Sequence, residues 1–559
     1  MSADKVAPIK VHAAIAKALI DNGVDTIFGV AGDANLFIVD SFVREFKGNY
    51  VAAANEAGAA LMAIGYANAS GKVGVVTVTH GPALTNTLTA LVEGVKGQTS
   101  LLLLCGDTAA EDKENAQNIA QRDVILPTGA GFEQLRSPRT VSLDLATALR
   151  RAIFERRPIA FNVPIDFEWE DVAYEPVTFK LPEMRALVPA SADLDDAVGI
   201  IATAKRPILL AGRGAMHAEA RQALLRLAER TGALLATTLR AKDLFRGEAF
   251  NLGLFGTLST PVAVDLIAQS DCIMAFGASL NKLTSDQGAL LKGKRVVQCN
   301  LEAVEIGKHA RPTAGLVGDP GLVADAIIRW LDEAEVVASG FRSDEIERQI
   351  KAYSPAADGK DLSTATTIDM RKALMRLDAA VPPDRVFVTD TGRFMMEPWR
   401  LVGVRDPRLF LYPINFGSVG LGMSVAIGAS FAAPGKPVFH VTGDGGFMLG
   451  GLAEFNTAVR HKVDLIVVVC NDSSYGAEHF QYRMRQMDPG LSLFNWPEFA
   501  AVATALGGHG ITVRTSEDLE RAAQAIKDRD RPLLIDLKCD PDRMPEIEHY
   551  YKVAMKSGL

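Results

Sequence analysis

The sequence predicts an α/β protein of three doubly wound parallel-sheet domains, the first and third built alike, and three observations carry that prediction. Short apolar strand patterns alternate with Gly-rich turns and amphipathic helices in three successive regions, as expected of stacked βα units. The 559 residues exceed what one core holds, since domains run to about 150 residues. Finally, the first and last regions repeat each other. ALMAIGYANASGKVGVVTVTHGP (60–82) parallels GMSVAIGASFAAPGKPVFHVTGDG (422–445), with Ala-Ile-Gly at 63–65 and 426–428 and Gly-Lys at 71–72 and 435–436. LLLLCGD then ends at Asp107 and IVVVCND at Asp472, so the offset stays between 363 and 365 residues. A period this long means domain duplication rather than a solenoid.

The expected boundaries follow from composition. The first domain spans 1–182 and ends in the linker-like EPVTFKLPEMRALVPASADL. A central domain spans 190–340, opening on the strand-like PILLAGRGA, and the breaker-rich SPAADGKDLSTAT follows it. The third spans 365–545, leaving a tail at 546–559.

A net charge of -8 without a Lys/Arg block argues against nucleic acid or an anionic membrane surface as partner. The longest apolar runs, LLLLC at 101–105 and LIVVVC at 465–470, fall far short of the ~20 residues that span a bilayer. They suit buried parallel strands. MSADKVAPIK lacks the apolar stretch of a signal peptide. The five cysteines (Cys105, Cys272, Cys299, Cys470, Cys539) show no CxxC or metal spacing, so a cytoplasmic enzyme acting on a small molecule is expected.

Chemistry concentrates in VFHVTGDGGFMLGGLAEFNTAVRHKVDLIVVVCNDSSYG, 438–476. The pattern predicts a strand over 438–442, a helix over 449–459 and a strand over 464–470. The right-handed crossover makes the two strands parallel, so both polar clusters lie at strand carboxyl ends, where open α/β sheets bind ligands. Gly443, Gly445 and Gly446 let backbone N–H groups approach an anion beside a helix N-terminus. A carboxylate in such a turn would repel phosphate unless a cation lay between them. Asp444, Asp472 and the carbonyl of Ser474 supply hard oxygens that suit Mg²⁺ with a diphosphate.

This stretch resembles the cofactor signature of thiamine diphosphate enzymes. The resemblance covers nearly the whole chain, in the three-domain order of acetohydroxyacid synthase, pyruvate oxidase and benzoylformate decarboxylase. It implies a first domain that binds the pyrimidine and a third that binds the diphosphate. Matching the family's Tyr-Gly pair to Tyr475-Gly476 makes Asp472 the metal ligand, Ser474 the carbonyl donor and Tyr475 a cofactor neighbour. One extra residue in MLGGLAE leaves Asn471 as the alternative ligand. By the same resemblance, Glu56 in NEAGAALMAIG would hydrogen-bond the pyrimidine N1′. In YPINFGSVGLGMS the Gly417 carbonyl would accept from the cofactor's amino group, with Val419 as the apolar wedge. Thr391 and Gly392 of VFVTDTGRF fall near the diphosphate end.

Further pocket residues are His80 of THGPALTN, a proton shuttle; Gln121 of AQRDVILP, which in the synthases helps hold the intermediate; and Glu478, at the position of an active-site acid of pyruvate decarboxylases. His479 beside it is expected to face solvent. Glu56 as a helix-terminal charge and Glu478 as a surface charge are the plain alternatives. The central SLNKLTSDQG lacks the basic motif of flavin-containing relatives, so FAD is not expected. Leu280-Asn281 is similar to the CoA-thioester branch. GRGAMHAEA (212–220) lacks the third glycine of a dinucleotide fingerprint.

The resemblance implies a thiamine diphosphate- and Mg²⁺-dependent lyase or carboligase acting on a 2-oxo acid or related carbonyl compound. The alternatives are an acetolactate synthase-type transferase, a CoA-thioester decarboxylase or lyase and, from another class, a nicotinamide-dependent dehydrogenase. It also implies a site shared across a homodimer, and commonly a homotetramer.

Overall fold

The computed structural model describes residues 7–179, 189, 191–357 and 359–543. They form two compact units, one from residues 7–179, 363–395 and 411–543, the other from 189–362 and 396–410. The first unit holds two six-stranded sheets and the second holds one.

In the N-terminal half of the first unit the strands are β1 (Thr26–Gly29), β2 (Asn49–Ala52), β3 (Gly74–Val78), β4 (Leu101–Asp107), β5 (Gly131–Gln134) and β6 (Pro158–Pro164). Their order is β2-β1-β3-β4-β6-β5, all parallel. The central unit has β7 (Pro207–Ala211), β8 (Leu234–Thr237), β9 (Asn251–Leu254), β10 (Cys272–Phe276), β11 (Arg295–Asn300) and β12 (Ala314–Val317), in the order β9-β8-β7-β10-β11-β12. This is the doubly wound arrangement that reverses direction after its first strand. The C-terminal half contributes β13 (Val386–Thr389), the edge strand β14 (Phe410–Leu411), β15 (Val438–Gly443), β16 (Leu465–Asn471), β17 (His509–Val513) and β18 (Leu533–Lys538), in the order β14-β13-β15-β16-β18-β17. The permutation matches the N-terminal sheet strand for strand, as duplication requires.

Helices α1 (Glu56–Ser70), α2 (Leu88–Gly97), α3 (Gly422–Ala432), α4 (Leu452–Arg460) and α5 (Gly476–Met484) position the site. α1 and α3 are apolar on nearly every face, so they can only be buried, and they pack on each other. The repeated Ala-Ile-Gly triplets explain how. A Cβ at Gly65 would lie 2.2 Å from the Val425 carbonyl oxygen, and one at Gly428 would lie 1.8 Å from that of Met62. The duplicated glycines therefore let the two backbones touch.

The βαβ unit at 438–471 forms as the pattern predicts, with one difference. Residues Phe447–Gly451 make a π-helical turn, and regular α-helix begins only at Leu452. A π turn is how a helix accommodates one residue more than the regular α pattern. Gly450 is needed there, because its Cβ would lie 2.0 Å from the Gly420 carbonyl oxygen.

The central GRGA segment is a close-packed turn. A Cβ at Gly212 would lie 2.3 Å from the Gly277 carbonyl oxygen, and the Gly214 N–H donates to that oxygen at 3.1 Å. Asn281 caps its own loop, accepting from the Thr284 N–H at 3.0 Å. All five cysteines are buried free thiols, and among the described residues no helix is long and apolar enough to cross a membrane.

Candidate active site

β15 and β16 pair in parallel register, with Gly443 opposite Cys470. The residues that follow each strand therefore leave the sheet side by side. Asp444 and Asp472 are 3% and 6% exposed. They share one donor, the Ser474 N–H, at 3.2 Å from Asp444 Oδ2 and 3.0 Å from Asp472 Oδ1. The Ser474 hydroxyl donates to Asp472 at 2.7 Å, and the Gly445 N–H donates to Asp444 at 2.8 Å. The turn is held open by Ser473 in the left-handed region (φ 54°).

Asn471 is turned away from this pair. Its Nδ2 donates to Asp536 at 2.8 Å, and its Oδ1 accepts from the Ser473 N–H at 3.1 Å.

Electrostatically the pair is unfinished. Burial, with the charge of Asp472 alongside, pushes the Asp444 carboxyl up to about 7. Burial also raises Asp472, although the Ser474 hydroxyl, then Arg393 and His479, partly offset it. Two desolvated carboxylates facing one N–H suit a hard cation held by oxygen ligands. Among the described residues no group of three or more His, Cys, Asp and Glu side chains could hold a metal. The third protein oxygen here would be a main-chain one.

Around the pair, a Cβ on Gly446 would fall 2.9 Å from Asp390 Oδ2 and 3.4 Å from Val419 Cγ1. The glycine turn and the wedge segment are thus neighbours. Val419 is 39% exposed, so it is an apolar side chain outside the core, and Gly417 holds φ 77°, a left-handed turn. Thr391 donates its N–H to Asp390 at 2.7 Å, and Gly392 follows it. Tyr475 is 37% exposed and its ring lies on Phe494. Glu478 is exposed in the first turn of α5.

His479 departs from the expectation. It is 2% exposed, with Nδ1 3.2 Å from Ser492 Oγ and Nε2 2.9 Å from Asp542 Oδ1. Partners distant in sequence turn that face of α5 inward.

The N-terminal half carries the other candidates. Glu56 opens α1, half-buried, and accepts from Asn86 Nδ2 at 2.9 Å. His80 is 6% exposed, with Nδ1 3.3 Å from Thr79 Oγ1. The next residue, Gly81, donates its N–H to Gln121 Oε1 at 2.9 Å. Gln121 Nε2 in turn donates to the Gly106 carbonyl at 2.8 Å and to Asn162 Oδ1 at 2.6 Å. Gln121 and Asn162 line a cavity of about 440 Å³ at the carboxyl ends of β4, β5 and β6, with Arg122 and Lys113 at its wall. Among the described residues no hydrogen bond joins Glu56, His80 or Gln121 to the Asp444 cluster.

Three participants were not singled out from the sequence. Asp390, fully buried and raised to about 6 by that burial, accepts from the Thr391 and Gly420 N–H groups and from the Thr442 hydroxyl. Trp496 Nε1 donates to Asp444 Oδ2 at 3.0 Å. Asn162 holds Gln121 and donates to Asp107 and Gln134 at 2.6 and 2.8 Å. Only Asp390 had a local signal, lying beside Thr391 at the end of β13.

A glycine turn with a buried carboxylate pair thus ends one sheet, and a glutamate-headed apolar helix lies in its duplicate. The family models agree across the chain: the N-terminal TPP binding domain of thiamine pyrophosphate enzymes matches residues 9–125, the central domain 194–327 and the C-terminal TPP binding domain 390–537. The chain belongs to the thiamine pyrophosphate enzyme family. It is 28% identical to an acetolactate synthase of Mycobacterium bovis over 548 residues, covering 94% of this chain and 87% of that protein. To the acetolactate synthase large subunit of Corynebacterium glutamicum it is 26% identical over 543 residues, 94% and 86% of the two chains. To a sulfoacetaldehyde acetyltransferase of Alcaligenes xylosoxydans xylosoxydans it is 27% identical over 552 residues, 92% and 90%.

Proposed function

We propose that this thiamine diphosphate enzyme is Mg²⁺-dependent and cleaves or forms a C–C bond next to a carbonyl. It would decarboxylate a 2-oxo acid, with or without ligation to a second carbonyl compound. The observation that carries the reading is the buried Asp444–Asp472 pair at the ends of adjacent parallel strands, sharing the Ser474 N–H. When bound, the cofactor supplies a nucleophilic carbon and an electron sink for the breaking bond.

The chain's own residues then have separable tasks. Asp444, Asp472 and the Ser474 carbonyl would hold Mg²⁺, and the turn Gly443–Gly446, with Thr391 and Gly392, would receive the diphosphate. Glu56 would share a proton with the pyrimidine N1′, which promotes the cofactor's internal base. The Gly417 carbonyl would accept from the amino group, while Val419 and Tyr475 would shape the bend. His80 and Glu478 would move protons at the substrate. Gln121 uses both amide hydrogens on Gly106 and Asn162 and accepts from Gly81, which suits shaping the His80–Gly81 turn; touching the intermediate would require it to exchange one of these partners. The halves would meet their counterparts across a homodimer, with a tetramer as the larger assembly.

An acetolactate synthase-type transferase is the second reading, favoured by two of the relatives above. A panel of 2-oxo acids and aldehydes, offered with thiamine diphosphate and Mg²⁺ while CO₂ and hydroxyketone are followed, separates the two. Aldehyde release marks a decarboxylase and 2-hydroxy-2-methyl-3-oxo acid marks the synthase. Turnover of no 2-oxo acid, with or without an acceptor, contradicts both.

A further inference from the structure

Two buried glutamates join the duplicated halves of the first unit, and each belongs to one half while serving the other. Glu454, in the first turn of α4, is fully buried. Its carboxylate accepts from the Ala54 N–H, the Asn55 N–H and Asn55 Nδ2, each at 3.2 Å. Glu93, on α2, is 1% exposed. It accepts from the Asn415 N–H at 3.2 Å, Asn415 Nδ2 at 2.6 Å and the Phe416 N–H at 2.7 Å.

The asparagines lie 360 residues apart and the glutamates 361, close to the 363 that relates the Ala-Ile-Gly triplets. The same clamp has been kept twice, once in each direction. Each is reinforced on its flank. Arg460 Nη2 and His461 Nε2 reach the Ala52 carbonyl at 2.9 and 3.3 Å. The Lys96 ammonium lies 5.0 Å over the Phe416 ring.

What the clamps hold gives them meaning. Asn55 immediately precedes Glu56 and caps α1, accepting from the Gly58 N–H at 2.7 Å. Phe416 immediately precedes Gly417 and lies three residues before Val419. A carboxylate that takes three N–H donors in a dry interface fixes backbone more tightly than neutral pairs can. We infer that Glu454 and Glu93 are reciprocal positioning residues, each fixing from the opposite half the segment that presents a cofactor-activating group. The inference rests on the reading of Glu56, Gly417 and Val419 given above.

The test is amide hydrogen exchange on the full-length apoprotein, paired with kinetics and cofactor titration of the reconstituted enzyme, for Glu454→Gln and Glu93→Gln. In E454Q exchange should quicken over 52–58 and stay unchanged over 414–420. Its kcat should fall about 10–100-fold, as small misplacements of a catalytic group do, at an unchanged Kd for thiamine diphosphate. In E93Q exchange should quicken over 414–420 alone, with Kd for the cofactor raised about tenfold. If either glutamine variant fails to fold, Asn415→Ala removes the side-chain donor to Glu93, and Asn55→Ser removes the amide donor to Glu454 while keeping an oxygen that can cap α1; both should give the same segment-specific pattern at smaller size. Wild-type exchange in the clamped segment, or equal loosening of both segments in both variants, would overturn the inference. A fully active Glu56→Gln enzyme beside the expected exchange pattern would instead remove the cofactor reading and leave the clamps standing.

Discussion

The two halves of the first unit share one strand order and diverge where the strands end. At the 363-residue offset, Asp444 of the C-terminal half corresponds to Gly81 of the N-terminal half, and at 365 Asp472 corresponds to Asp107. The C-terminal carboxylates share one N–H donor, and burial drives both pKa values up although the Ser474 hydroxyl, then Arg393 and His479, partly offset the rise at Asp472. Asp107 instead takes the Asn162 amide at 2.6 Å and the Thr108 N–H at 2.9 Å, inside a network of amides. One scaffold therefore offers two strand-end environments. In the first, burial leaves two carboxylates facing one shared N–H donor; in the second, the carboxylate is satisfied by amide donors.

The largest effect is expected where the comparison is sharpest. Asp444→Asn removes one charge of the pair and should weaken Mg²⁺–thiamine diphosphate binding by about 10³-fold, measured by calorimetric titration of the apoenzyme. Glu56→Gln probes the other half. It should lower kcat by about 10²–10⁴-fold, the range for a lost proton-transfer partner, with circular dichroism and Tm unchanged.

A third prediction contrasts buried acids. Asp390 in the C-terminal half accepts from the Thr391 and Gly420 N–H groups, whereas both carboxyl oxygens of Glu168 in the N-terminal half lack a partner among the described residues, and burial pushes that carboxyl up to about 8. Because the folded state holds this proton between about pH 4.5 and 8 and the unfolded chain does not, Glu168 costs stability progressively as pH rises through that window. The stability of Glu168→Gln relative to wild type should rise between pH 5 and pH 8.5 by about 4 kcal/mol in unfolding free energy. The smallest effect belongs to Val419→Ala. It trims two carbons from a partly exposed wedge and should raise the cofactor Kd about fivefold, for about 1 kcal/mol of lost contact.

How much of this was legible in the sequence follows from distance along the chain. The strands, the duplication and the Asp444/Asp472 pairing are written in short patterns, because adjacent parallel strands bring their ends together whatever else the fold does. The π turn at Phe447–Gly451, seated on Gly420, was not legible. Trp496 reaches Asp444 from 52 residues away, Asp390 reaches Gly420 from 30, and Glu454 reaches Asn55 from 399. No local periodicity encodes such contacts. The inward turn of His479 has the same cause, since Asp542 lies 63 residues on.

Anomalous diffraction from crystals grown with thiamine diphosphate and Mn²⁺ in place of Mg²⁺ tests the central claim most directly. The account predicts one strong peak between Asp444 and Asp472, within bonding distance of a carboxylate oxygen of each and of the Ser474 carbonyl, beside the diphosphate. Cofactor bound with no peak at that position, or with the metal held by other residues, would contradict it.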